Sequence, residues 1–134
     1  VSQGLARIPA VRGASNHMGS RATEDARTME LVLGELKKKR LYFLDSFVTP
    51  RSVAQDAAQK LGVRFLKRDV FLDNTLEPAY IRRQFELLKQ KAQRQGAAVG
   101  IGHDRKATLE VLKELIPETQ REGFTFIFAS ELAR

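Results

Sequence analysis

The feature that most constrains this chain is an alternation. Short, nearly uninterrupted apolar runs are separated by longer stretches with helical periodicity. The runs are "LYFLD" from Leu41, "VRFL" from Val63, "AAVGIG" from Ala97 and "FTFIFA" from Phe124. Their length suits strands, and their lack of polar alternation suits parallel strands buried on both faces. Between them the spacing predicts helices over 23–39, 50–61, 77–95 and 106–121. The supporting apolar sets are Ala26, Met29, Leu33 and Leu36; Val53, Ala57 and Leu61; Ile81, Phe85, Leu88 and Ala92; and Leu109, Leu112 and Ile116. Thr23 is the expected cap of the first helix, with Glu24 and Asp25 in its opening turn. Pro50 opens the second, Gly62 and Gly96 stop the second and third, and Pro117 is expected to shorten or kink the fourth. Strand followed by helix, repeated, is the pattern of an α/β fold with right-handed crossovers. The 134 residues amount to one domain, 1–134, layered or barrel-like.

The opening "VSQGLARIPAVRG" reads as the tail of a helix entering a strand, so the chain is expected to begin within a fold and to be a fragment. No run reaches the ~18 to 20 apolar residues of a membrane span, and no signal peptide opens the chain. The net charge of +7 and pI of about 10.1 raise nucleic acid as a partner. The cations, however, are scattered over helix faces without aromatic interleaving, and "KKKR" at Lys37 to Arg40 falls where a helix C-terminus favours positive charge. Nucleic acid is therefore not the expected partner. There are no cysteines, which removes thiol chemistry.

In parallel α/β folds chemistry gathers beyond the carboxyl ends of the strands. There the chain carries His17, then Asp45-Ser46, then Arg68, Asp69, Asp73 and Asn74 in "RDVFLDN", then His103-Asp104, then Ser130-Glu131. Each has an ordinary reading as a turn former or cap. Together they bring both histidines of the chain and several carboxylates to one rim, a set suited to metal binding or acid/base work. Phosphate-loop, dinucleotide and serine-nucleophile motifs are absent from the sequence. A glycosidase carboxylate pair drawn from Asp45, Asp69 and Asp73 would leave both histidines unexplained.

The segments "GASNHMGSRATED", "LYFLDSFVTPRSVA", "RDVFLDN", "AVGIGHDRKATLEVL" and "FIFASELA" resemble the divergent polysaccharide deacetylase family. The resemblance runs from about Ile8 to the C-terminus. It implies an irregular (β/α) barrel, here partial and lacking the first strands. It also implies a divalent metal, zinc in most relatives, and hydrolytic removal of acetyl groups from a polysaccharide or glycan. His17 resembles the family's metal-binding histidine. Arg21 stands where a second ligand usually follows, and His103 is the candidate to fill that vacancy. His103 equally resembles the late-strand histidine that acts as general acid, and both roles stand. Asp45 and Asp69 resemble carboxylates that orient an imidazole or serve catalysis. Ser46, Arg68, Asp73 and Asn74 are the expected substrate contacts. The family's paired aspartates, one a ligand and one the base, precede the histidine motif on an earlier strand and are not in this sequence. The isolated chain is therefore expected to bind zinc weakly and to be inactive. By analogy the whole protein is expected in the periplasm or cell envelope. The competing expectation is a non-catalytic glycan-binding module of the same fold.

Overall fold

The computed structural model describes residues 1–8 and 10–134. Within the span read as one domain the chain forms two compact units, 1–67 with 128–134, and 68–127.

The first unit carries a parallel sheet of β1 (Gly13–Ser15), β2 (Tyr42–Asp45) and β3 (Phe65–Lys67), in that order. Residues Gly13 and Tyr42 stand in register, as do Phe43 and Phe65. Around it lie α1 (Ser2–Ala6), α2 (Ser20–Glu24), α3 (Ala26–Lys38), α4 (Ala54–Leu61) and, after the second unit, α7 (Ala129–Leu132). Met29, Leu33 and Leu36 on one stripe of α3 meet Phe43, Leu41, Val63 and the small face of α4, Ala54, Ala57 and Ala58. The alanines are what let α4 lie close, since a larger residue there would collide with neighbours in a densely packed interior. The second unit has a two-stranded parallel sheet, β4 (Val70–Phe71) and β5 (Gly100–Ile101), packed by α5 (Pro78–Gln95) and α6 (Lys106–Arg121). Its core is Val70, Leu72, Ile81, Phe85, Val111 and Leu115.

Several expectations change. The described strands form parallel sheets, not a closed barrel. "FTFIFA" does not extend a sheet: Phe124 to Phe128 is irregular, and Ser130 and Glu131 lie in α7 rather than beyond a strand end. Among the described residues this segment pairs with no strand; the Phe124 amide bonds the Thr119 carbonyl at 3.2 Å, and Glu131 Oε2 accepts the Phe128 amide at 2.9 Å. The helix read over 23–39 is two. Asp25 adopts an extended conformation and caps α3, accepting the Thr28 amide at 2.7 Å. Thr23 is not a cap; it is buried, and its hydroxyl bonds back to the Gly19 carbonyl at 2.9 Å. The second helix starts at Ala54 because Pro50 and Arg51 are spent on a turn. Pro117 does not shorten α6, which runs on to Arg121. The buried stripe of α6 is Thr108, Val111, Leu115 and Thr119, one position round from the expected one, with Leu109 turned to solvent. Counting only large apolar residues missed the two threonines. As expected, Lys37 and Lys38 occupy the last turn of α3.

Candidate active site

Register decides which polar residues become neighbours. In β4 and β5, Val70 pairs with Gly100 and Phe71 with Ile101. Continuing past both strands brings Asp73 beside His103. The Asp73 carboxylate is buried, 1% exposed. Its Oδ2 accepts the His103 backbone amide at 2.8 Å and the Thr108 hydroxyl at 2.7 Å. Its Oδ1 stands 3.0 Å from His103 Nδ1.

Burial by itself pushes the Asp73 carboxyl up, because a charge in a low-dielectric interior loses its water. Hydrogen bonds from Thr108 and from the His103 amide and ring outweigh that and hold it below its ordinary range. Asp73 is therefore ionised near neutrality, and an ionised carboxylate only accepts. His103 Nδ1 must carry the hydrogen, which leaves Nε2 as the lone-pair nitrogen of the neutral ring. The Phe71 ring meets the imidazole edge-on, centroids 5.3 Å apart, and limits its tilt. The His103 side chain is about one-third exposed, at 31%. The result is an imidazole held on one side and reachable on another.

The first unit repeats the device with an amide. Gly13 is in register with Tyr42, so Asn16 lies beside Asp45. Asp45 is 1% exposed. Its Oδ1 accepts Asn16 Nδ2 at 3.0 Å and the Phe47 amide at 2.8 Å, and its Oδ2 accepts the Ser52 hydroxyl at 2.6 Å. Asn16 Oδ1 in turn accepts the Ser46 amide at 2.6 Å, and Asn16 Nδ2 also reaches Thr23 Oγ1 at 3.3 Å. This network ties the turn bearing His17 to the end of β2, and His17 itself is exposed. Nearby, Thr49 donates to Glu24 Oε1 at 2.5 Å and Arg51 pairs with Oε2 at 2.9 Å. These bonds hold Glu24 below the usual carboxylate range, the Thr49 bond contributing most.

The other candidate residues are placed as follows. Asp69 lies just after β3 and just before β4; its oxygens accept Gln95 Nε2 at 3.0 Å and the Val99 amide at 2.8 Å. It thus fastens the approach to β5. The Arg68 guanidinium lies over the Phe71 ring at 5.1 Å. Asn74 Nδ2 donates to the Tyr80 hydroxyl at 3.2 Å. Arg68 and Asn74 line a groove of about 330 Å³ together with Phe71, Gln84, Lys91 and Arg94. Ser46 is buried behind Asn16. His17 follows β1 in the first unit and His103 follows β5 in the second. Among the described residues, no group of three or more His, Asp or Glu side chains is assembled to hold a metal ion. A catalytic zinc normally takes three protein ligands, so the described residues do not by themselves fit the expected zinc.

Sequence reasoning gave the role of orienting an imidazole to Asp45 and Asp69; the carboxylate seen against an imidazole is Asp73. It also passed over Thr108, Ser52 and the bridging role of Asn16. The signal for Asp73 was available, since equal spacing from strand to strand sets which rim residues align. No local motif marks Thr108.

The profile of the divergent polysaccharide deacetylase family matches residues 1–133. The chain belongs to that family. Among curated relatives, a Haemophilus influenzae protein described as uncharacterized is 44% identical over 101 residues, 75% of this chain and 36% of that protein. The uncharacterized Escherichia coli protein YibQ is 40% identical over 109 residues, 81% of this chain and 34% of its own length. The chain thus spans about a third of the curated relatives it matches. The crystal structure of uncharacterized protein ATU2773 from Agrobacterium tumefaciens superposes with a TM-score of 0.88 at 25% identity, over 90% of this chain and 49% of that one. As a member of the divergent polysaccharide deacetylase family, this chain has relatives whose printed descriptions state no reaction.

Proposed function

We propose that this chain is part of a domain that hydrolyses acetyl groups from a polysaccharide or glycan, and that His103 is its proton donor. The observation that carries the reading is the Asp73–His103 pair beyond the carboxyl ends of two parallel strands. Water adds to the acetyl carbonyl as a carboxylate of the full-length protein takes its proton, the carbon–nitrogen bond breaks, and acetate leaves. The departing nitrogen takes a proton from Nε2 of the imidazolium, while Asp73 holds Nδ1–H and stabilises the ring's charge. Asp45 and Asp69 act through backbone: the first anchors the turn bearing His17, the second anchors the approach to β5. The groove with Arg68, Phe71 and Asn74 offers a cation stacked on an aromatic ring and an amide, a combination suited to sugar. In this reading the chain forms part of an irregular (β/α) barrel in a periplasmic or envelope protein. A zinc ion held by His103 would need donors beyond those that the described residues assemble.

The test is acetate release by the full-length gene product on a panel of acetylated glycans, beside its His103→Ala variant. Release that falls about 100-fold or more in the variant supports the reading, in keeping with the usual 10²–10⁴-fold worth of a general acid. No release, with glycan retained on the protein, establishes the binding-module alternative instead.

A further inference from the structure

We infer that Thr108 is a positioning residue that fixes the tautomer of His103 by committing the oxygens of Asp73. Its importance for a reaction rests on the proposed role of His103; its effect on the ring does not.

A buried carboxylate shared among donors can rotate or re-partner, and an imidazole hydrogen-bonded to it then loses a fixed orientation. Here three donors from two residues converge on Asp73. The His103 amide comes from the end of β5, the His103 ring from the same residue, and the Thr108 hydroxyl from the first turn of α6. The amide and the hydroxyl both bind Oδ2, which pins the plane of the carboxylate and reserves Oδ1 for Nδ1. Thr108 is 1% exposed, so its hydroxyl has no water to turn to, and Asp73 is the acceptor it uses. Gly102 makes the approach possible. A Cβ at that position would stand 3.1 Å from Thr108 Cγ2 and 3.7 Å from Asp73 Cγ, inside the space the threonine and carboxylate share. With Oδ1 kept for the ring, Nδ1–H is the stable neutral tautomer and Nε2 carries the lone pair. That is the nitrogen a reacting partner would meet. The helix contributes in the same direction, since the first turn of α6 presents the positive end of its dipole to the carboxylate.

The experiment is nitrogen-15 NMR of the His103 ring in the 134-residue chain, at a pH where the ring is neutral, in the native protein and in Thr108→Val and Thr108→Ser. Valine keeps the shape and removes the hydroxyl; serine keeps the hydroxyl. Expected is a single Nδ1–H form in the native and serine proteins, and a several-fold rise of the Nε2–H form in the valine protein. An unchanged Nδ1–H population in Thr108→Val overturns the inference, as does a serine variant that behaves like valine. A second measurement needs no variant. The Thr108 hydroxyl proton should exchange slowly with water, give a resolved resonance and show proximity to the His103 amide proton; its absence overturns the inference even where the valine protein fails to fold. Lack of acetate release by the full-length protein would strike the proposed reaction and leave these ring populations untouched.

Discussion

At the scale of a residue, Asp73 is the most consequential side chain in the second unit because its charge is both buried and used. Its depressed carboxyl value means that the folded state holds the proton less well than the unfolded chain does. The stability this adds is present in full above the ordinary value of 3.8 and is lost as pH falls through the lower folded value. Acid unfolding followed by circular dichroism should therefore show a stability loss below about pH 4 that is smaller in Asp73→Asn. The same variant has a second expected outcome. The His103 backbone amide can only donate, so the asparagine oxygen must take the Oδ2 place and its NH₂ must face the ring. His103 is then forced into the Nε2–H tautomer, which ring nitrogen-15 shifts will show. In the full-length protein that inversion should lower any acetate release as strongly as removing the ring does.

At the scale of an element, the α3–α4 packing carries the first unit. Leu33 is fully buried among Met29, Leu36 and Phe43, and Leu33→Ala should cost about 2–5 kcal/mol, read by urea unfolding at constant slope. Gly62 ends α4 at φ +66°, a left-handed conformation that strains other residues, and open space surrounds it. Gly62→Ala should accordingly cost about 1 kcal/mol through backbone strain alone. The elements also show what could be read beforehand. The α3 stripe and the C-terminal end of α5 followed from apolar spacing and from Gly96, because those signals are local. The break at Asp25 was not legible: Thr23 and Asp25 are both good cap residues, and burial of Thr23 beneath Asn16 decides between them. The strand expected at Phe124 failed for a related reason. Strand propensity states what a segment would do with a partner, and among the described residues no strand pairs with this one.

At the scale of the whole molecule, the family and the α/β alternation were legible across nearly the full length, while the constellation of the site was legible only in part. His103 was visible because the two glycines of "GIG" before it let the backbone approach a neighbour closely. Its true partner depended on strand register, and Thr108 depended on how α6 docks in the second unit, neither of which a single motif encodes. The incomplete donor set leads to a measurement on the entire chain. Calorimetric titration of the 134 residues with zinc should show no sub-micromolar site, whereas a protein extended to the length of the curated relatives should show one if the proposed function holds.

The irregular stretch from Phe124 to Phe128 has a consequence for handling the protein. Phe126, Ile127 and Phe128 are exposed, at 43%, 53% and 78%, and "FTFIFA" contains no charge, proline or glycine. Such a segment is a template for cross-β stacking between molecules, in which identical side chains interdigitate and backbone amides pair with the next copy. Concentrated stocks of this chain should form thioflavin-positive fibrils after a lag. Replacing Ile127 by lysine should lengthen that lag several-fold with no change in the His103 ring spectrum, because a repeated charge stacked every ~4.8 Å along a fibril repels itself.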